Sequence, residues 1–136
     1  MITVTDKSRI ALTALAELAG RGDAGPVPIV DVAESRGIAL HVLEQIFGGL
    51  RRAGILRSQR GVKGGYSLRR PAAEITAADI VAAVDGQIGV GALPESATGD
   101  VFARAAIAAR DALASVSVAD VVERERRATD VPMFHI

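Results

Sequence analysis

Apolar residues recur along the first third of the chain at spacings of three and four, and each run predicts a short amphipathic helix. Ala11, Ala14, Leu15 and Leu18 share one face of a helix that Thr5 or Asp6 can cap and that Gly20 with Gly22 ends. After a connector, Ala24-Gly25-Pro26-Val27-Pro28, the residues Ile29, Val32 and Ala33 make the buried stripe of a second helix, which Gly37 breaks. Leu43, Ile46, Phe47 and Leu50 repeat the pattern in a third helix opened by Ala39 or Leu40, with Ile38 turned into the core beneath the turn. The pattern then changes to strands: 55–59 and 66–69 read as a pair around Arg60-Gly61-Val62-Lys63-Gly64-Gly65, whose glycines permit positive φ. Two short helices followed by a glycine-turned hairpin outline a winged helix-turn-helix.

Thr76 and Asp79 have the spacing of a capping box, and Ala77, Ile80, Val81 and Val84 follow as one buried stripe. Asp85 to Asp100 is rich in Gly, Ser and Thr and contains Pro94, which predicts an irregular loop acting as a hinge or sensor. Beyond it Phe102, Ala106, Ala109, Leu113 and Val116 recur at four, three, four and three, the spacing of a coiled-coil seam. A plain core-packing face explains the same spacing. A partner subunit is favoured because the helix lies outside the winged domain. Ser117 and Asp120 then cap a helix bearing Val118, Val121 and Val122, and 131–136 carries no readable signal. The expected fold is mainly α with a small β-hairpin wing and a long carboxyl-terminal dimerisation helix. Its parts are a DNA-binding domain over 1–85, a connecting or sensor loop over 86–100, and dimerisation helices with a tail over 101–136.

Charge sharpens this picture. The chain has 16 basic and 16 acidic residues, yet between His41 and Arg70 seven Lys/Arg face one acid, Glu44. A neutral molecule with one basic surface suits a polyanion. Basic residues also favour a helix carboxyl end and solvate hairpins, so charge alone leaves the partner open. With 136 residues, 49% of them apolar and few aromatic, the chain is long enough for one domain with a core of small aliphatic side chains. It has no cysteine, which removes disulfides, thiolate metal sites and cysteine nucleophiles together. No apolar run approaches a membrane span, and the amino-terminal charges read as a soluble cytoplasmic protein. Two histidines without a flagged acidic pair or nucleophile motif argue against an enzyme, and no metal or cofactor site is read.

The outward residues expected on the third helix are His41, Val42, Glu44, Gln45, Gly48, Arg51 and Arg52. The amino end of such a helix meets base edges, which suits His41 and Gln45, while Arg51 and Arg52 suit phosphates. Glu44 either accepts from a cytosine amino group or rejects wrong sequences, or it only stabilises the helix dipole. Gly48 and Gly49 inside a helix cost roughly 1 kcal/mol each relative to Ala, which calls for a compensating close approach by another helix or by DNA. At the wing, Arg60 can enter a narrow minor groove beside Gly61 and Lys63. Lys7 can touch the phosphate backbone or be solvated surface charge.

The connector, Leu43-Glu44-Gln45-Ile46-Phe47, Leu50-Arg51-Arg52-Ala53-Gly54, the wing with Tyr66, and Ala83-Val84-Asp85 together resemble the iron–sulfur cluster regulator (IscR-like) family of bacterial winged helix-turn-helix regulators. The resemblance runs from Val4 to Asp85 and weakly beyond. It implies a homodimer on a double-stranded DNA operator, with Ala39, His41, Val42, Glu44 and Gln45 at major-groove positions and Arg60 with Gly61 at the wing tip. Cluster-binding members carry three cysteines before the dimer helix, and this chain has none. It therefore resembles the cluster-free branch typified by the cysteine-metabolism repressor (CymR-like), which implies a repressor whose signal is a metabolite or partner enzyme. The rival is a protein-interaction module that keeps the fold without binding DNA.

Overall fold

A computed structural model describes residues 5–22, 24–86 and 97–130. Helix α1, Asp6–Gly20, starts where the Thr5 hydroxyl accepts from the Lys7 N–H. It buries Ala11, Ala14, Leu15 and Leu18, the stripe read from the sequence. Helix α2, Ile29–Arg36, ends at Gly37, whose φ of 64° is a left-handed cap that glycine adopts at least cost. Helix α3, Leu40–Arg52, turns Leu43, Ile46, Phe47 and Leu50 inward. Strands β1, Leu56–Gln59, and β2, Gly65–Leu68, pair antiparallel with Arg57 opposite Ser67 and Ser58 opposite Tyr66. The Tyr66 ring meets Phe47 edge-on at 4.9 Å, which seats the hairpin on α3.

The connector is more than a link. Val27 pairs with Tyr66 through two backbone hydrogen bonds, Tyr66 N–H to the Val27 carbonyl at 2.8 Å and Val27 N–H to the Tyr66 carbonyl at 2.9 Å. This pairing explains Gly65, where a Cβ would lie 2.3 Å from the Val27 carbonyl carbon. Gly64 is closed in the same way by the Gln59 carbonyl at 2.2 Å. Two of the three wing glycines, Gly61 and Gly65, have positive φ, whereas Gly64 is required for space.

Helix α4, Ala77–Val84, carries the expected capping box in full: Thr76 and Asp79 each bond the other's backbone N–H. Helix α5, Ala97–Ala114, begins before the expected loop ends, so 97–100 is helical. Residues 87–96, with Pro94, and 131–136 fall outside the described residues.

The seam expected on α5 is partly covered within the subunit. Ala106 is 4% exposed and, with Leu113, packs against Val81 of the same subunit's α4. Ala109 is half-buried, and Val116 lies past the helix end, where its carbonyl accepts from the Ala77 N–H at 2.8 Å. Of those five residues only Phe102, 66% exposed, faces solvent. Part of the stripe is thus covered by α4 of the same subunit. A second apolar stripe, Val101, Ala105, Ala108 and Ala112, is exposed on α5 at spacings of four, three and four.

Helix α6, Val118–Asp130, returns to the winged domain and does not extend from it. Val118 is fully buried in the main core, and its N–H donates to the Ile75 carbonyl at 2.8 Å. Arg36 at the end of α2 ties this return to α1. It donates to both oxygens of Glu125 at 2.6 and 3.0 Å and to Glu17 at 2.8 Å, while Arg21 donates to the other Glu17 oxygen at 2.7 Å.

Burial pushes the Glu17 carboxyl up, but hydrogen bonds from Arg21, Arg36 and Ser35 outweigh it and hold it below the usual range. The Arg36 hydrogen bond lowers Glu125 against the opposing effect of burial. Depressed folded-state values stabilise the fold above the unfolded glutamate value, about 4.3, and that stability is lost as pH falls through the folded values. Acid unfolding followed by circular dichroism is therefore expected to start below about pH 4.3. Glu125→Gln should be less stable at neutral pH and show a shallower loss with acid. An unchanged profile would mean that the pair contributes nothing.

Candidate nucleic-acid interface

Helix α3 presents His41, Glu44, Gln45, Arg51 and Arg52 to solvent, and its cap Ala39 is exposed too. Val42 differs from expectation: it is half-buried against the core, so only part of it is available to a partner. The fold brings Lys7 beside this face, because the start of α1 closes one wall of a shallow depression shared with Gln45, Gly49 and Arg52. At the hairpin tip Arg60, Gly61, Val62 and Lys63 are all exposed, in a turn closed by Gly64 N–H to the Gly61 carbonyl at 3.0 Å.

Unpaired cations gather on this surface, and Arg69, Arg110, Arg124 and Arg126 elsewhere also lack an ion pair among the described residues. Arg9, Arg21, Arg36, Arg70 and Arg127 each hold a carboxylate of their own subunit. Among the described residues Arg51, Arg52, Arg57, Arg60 and Lys63 hold none. Glu44, the one acid here, has no ion pair either.

The helical glycines are open. A Cβ on Gly48 would meet only the flexible end of Arg52, at 3.4 Å, and one on Gly49 would meet the Ala83 carbonyl at 3.8 Å. Packing within the subunit therefore does not require them: α4 passes Gly49 at a distance that leaves room for a side-chain methyl. Gly48→Ala is expected to raise stability by up to about 1 kcal/mol in urea denaturation. A destabilised protein would reveal a constraint on α3 that these distances miss.

A second polar joint lies at the other end of the domain and was not legible as one. The Asp85 carboxylate accepts from the Thr5 N–H at 2.9 Å, the Thr5 hydroxyl at 2.6 Å and the Ser8 hydroxyl. Burial raises its pKa, but these bonds prevail and hold it below the usual range. The exit from α4 is thus fastened to the start of α1, next to Lys7.

A family model described as iron-dependent transcriptional regulator, Rrf2, matches residues 4–124. The chain belongs to the Rrf2 family of transcriptional regulators. The HTH-type transcriptional regulator IscR of Escherichia coli is 42% identical over 85 residues, 62% of this chain and 52% of that protein. The chain thus matches about half the length of these curated relatives. Among solved structures, CymR, the global cysteine regulator of B. subtilis, is 32% identical with a TM-score of 0.80, covering 91% of this chain and 98% of that one. T. potens IscR is 29% identical with a TM-score of 0.82, covering 96% and 93%. These Rrf2 relatives are regulators, not enzymes, and their winged-helix fold is the one found here. The donors for a cysteine-held iron–sulfur cluster do not fit this chain, which has no cysteine; among the described residues no three His, Asp or Glu are grouped to hold a metal. No described helix is long and apolar enough to cross a membrane.

Proposed function

We infer that this chain is a sequence-specific DNA-binding repressor that acts in the cytoplasm as a homodimer and works without an iron–sulfur cluster. The observation that carries the reading is the clustering of exposed, unpaired cations on one helix and the hairpin tip beside it. Arg51, Arg52, Arg60 and Lys63 gather on α3 and the wing tip without a carboxylate of their own subunit among the described residues, which leaves them for an external anion. A duplex supplies phosphates at the spacing of a helix and wing side by side. In this reading Ala39, His41, Val42, Glu44 and Gln45 lie toward the major groove, Arg60 and Gly61 enter the minor groove, and Lys7, Arg51, Arg52 and Lys63 meet phosphates. The dimer forms through the outward stripe of α5, Val101, Ala105, Ala108 and Ala112, with Phe102 beside it. The signal is a small molecule or partner protein acting on the segment between α4 and α5 or on the dimer helices.

The test is operator affinity against salt, where each neutralised phosphate contributes about −0.9 to the log–log slope. A flat dependence would favour a protein-interaction module instead. On a selected operator, Arg60→Ala is expected to weaken binding by roughly 1–3 kcal/mol and to flatten A·T preference at the wing positions. Gln45→Ala is expected to relax one base per half-site by a similar amount. Uniform weakening on all sequences by Gln45→Ala would reduce that residue to positioning the helix.

A further inference from the structure

We propose that the groove on the outer face of the hairpin is a binding site for a small polyanion, a phosphorylated or multiply carboxylated metabolite, held by Arg57, Arg69 and Arg70. The strand register sets up the site. Leu56, Ser58, Tyr66 and Leu68 share the face that carries the Phe47 contact, so Arg57 and its partner Ser67 point the other way. Arg69 follows two residues later, held by its N–H to the Ile55 carbonyl at 2.9 Å, and Arg70 stands beside it. The opposite wall is the carboxyl end of α1 and the Gly25–Val27 segment. The space enclosed is about 590 Å³. That is the size of a small-molecule site.

Its charge is one-sided. The described lining holds three arginines and no carboxylate. Arg57 and Arg69 have no side-chain partner, while Arg70 is ion-paired with Asp79 at 3.4 Å and contributes only its remaining donors. Guanidinium groups lining one concave surface leave positive charge uncompensated until an anion sits against them, and their planar forks match phosphate or carboxylate oxygens two at a time. The carboxyl end of α1 is the negative end of its dipole, so the arginines must outweigh it, although the Leu18 and Ala19 carbonyls are already engaged by the Arg21 and Gly22 N–H groups. Gln59 and Ser67 add neutral polar groups along the floor.

Position favours a small ligand over the duplex. Lys7 sits by Gln45 and Arg52 at one end of α1, whereas Ala19 lines the groove at the other. The two are about 18 Å apart at 1.5 Å per residue. The groove therefore lies away from the Lys7 end of the proposed DNA face, and its link to that face is Arg57, three residues before the wing-tip Arg60.

The test uses inorganic pyrophosphate as probe, with sodium chloride at equal ionic strength as control. Calorimetry and thermal melting are expected to show pyrophosphate binding in the whole chain and a rise in melting midpoint beyond that in chloride. Arg57→Gln/Arg69→Gln should weaken that binding by about tenfold or more, since hydrogen bonds to charged groups are being removed. Both side chains are exposed and unbonded, so the melting midpoint without probe should not change. Arg51→Gln/Arg52→Gln, on the other face, should keep full pyrophosphate binding. Equal affinity in the groove variant, or no binding above chloride, overturns the proposal. So does a fall of nearly two in the DNA salt slope of the groove variant, which would assign both arginines to DNA phosphates. The DNA affinity of the unmodified chain, measured alongside, tests the regulator reading separately.

Discussion

Replacing Ala108 by glutamate is expected to leave each subunit folded while converting the protein to monomers that no longer hold operator DNA. Ala108 is exposed in the subunit, at the middle of the Val101, Ala105, Ala108 and Ala112 stripe, so a carboxylate there meets water until a second subunit covers it. Burying two such charges against each other in a dimer costs several kcal/mol, enough to dissolve an interface built from small side chains. Half-sites about 34–36 Å apart cannot be spanned by one subunit, and losing the linkage typically costs 10²–10⁴ in affinity. Sedimentation velocity and electrophoretic mobility shift should therefore change together. Ala106→Glu provides the contrast: it places a charge against Val81 inside the subunit and should unfold it. A dimeric Ala108→Glu protein would move the interface off this stripe.

Gly65→Ala is expected to be the most damaging single methyl in the chain, costing about 3 kcal/mol or more in urea denaturation. The added Cβ would fall 2.3 to 2.7 Å from three backbone atoms of Val27 and Pro28, none of which can rotate away. Relief requires strand β2 to leave Val27, which breaks two backbone hydrogen bonds and shifts Tyr66 off Phe47. Gly61→Ala is the control. Its φ of 111° is strained for alanine, but nothing lies within 4 Å, so roughly 1–2 kcal/mol is expected. Equal costs at the two positions would mean that the Val27 pairing does not hold the wing.

Local rules made much of this fold legible. Thr5, Gly37, Thr76 and Ser117 marked helix ends because capping depends on residues three or four apart. The stripes of α1, α3 and α4 were visible for the same reason. What a stripe packs against is a separate question that spacing cannot answer. Helix α5 is so rich in alanine that it carries two apolar stripes, and spacing alone does not say which of their residues α4 covers. The pairing of Val27 with Tyr66 and of Arg36 with Glu125 spans 39 and 89 positions in sequence. Neither leaves a local pattern. Candidate DNA residues were proposed from charge and motif, whereas knowing which arginines hold a carboxylate of their own subunit needed side-chain positions.

The fastening of α5 at its carboxyl end gives the molecule a lever. Val116 bonds Ala77 and Val118 bonds Ile75, so that end of the helix cannot move without carrying the root of α4 along. Eighteen residues make an arm of roughly 27 Å, and a tilt of about 5° over that length shifts its tip by roughly 2 Å. In a dimer joined along two such arms, a change in their crossing angle is converted directly into a change in reach between the two reading heads.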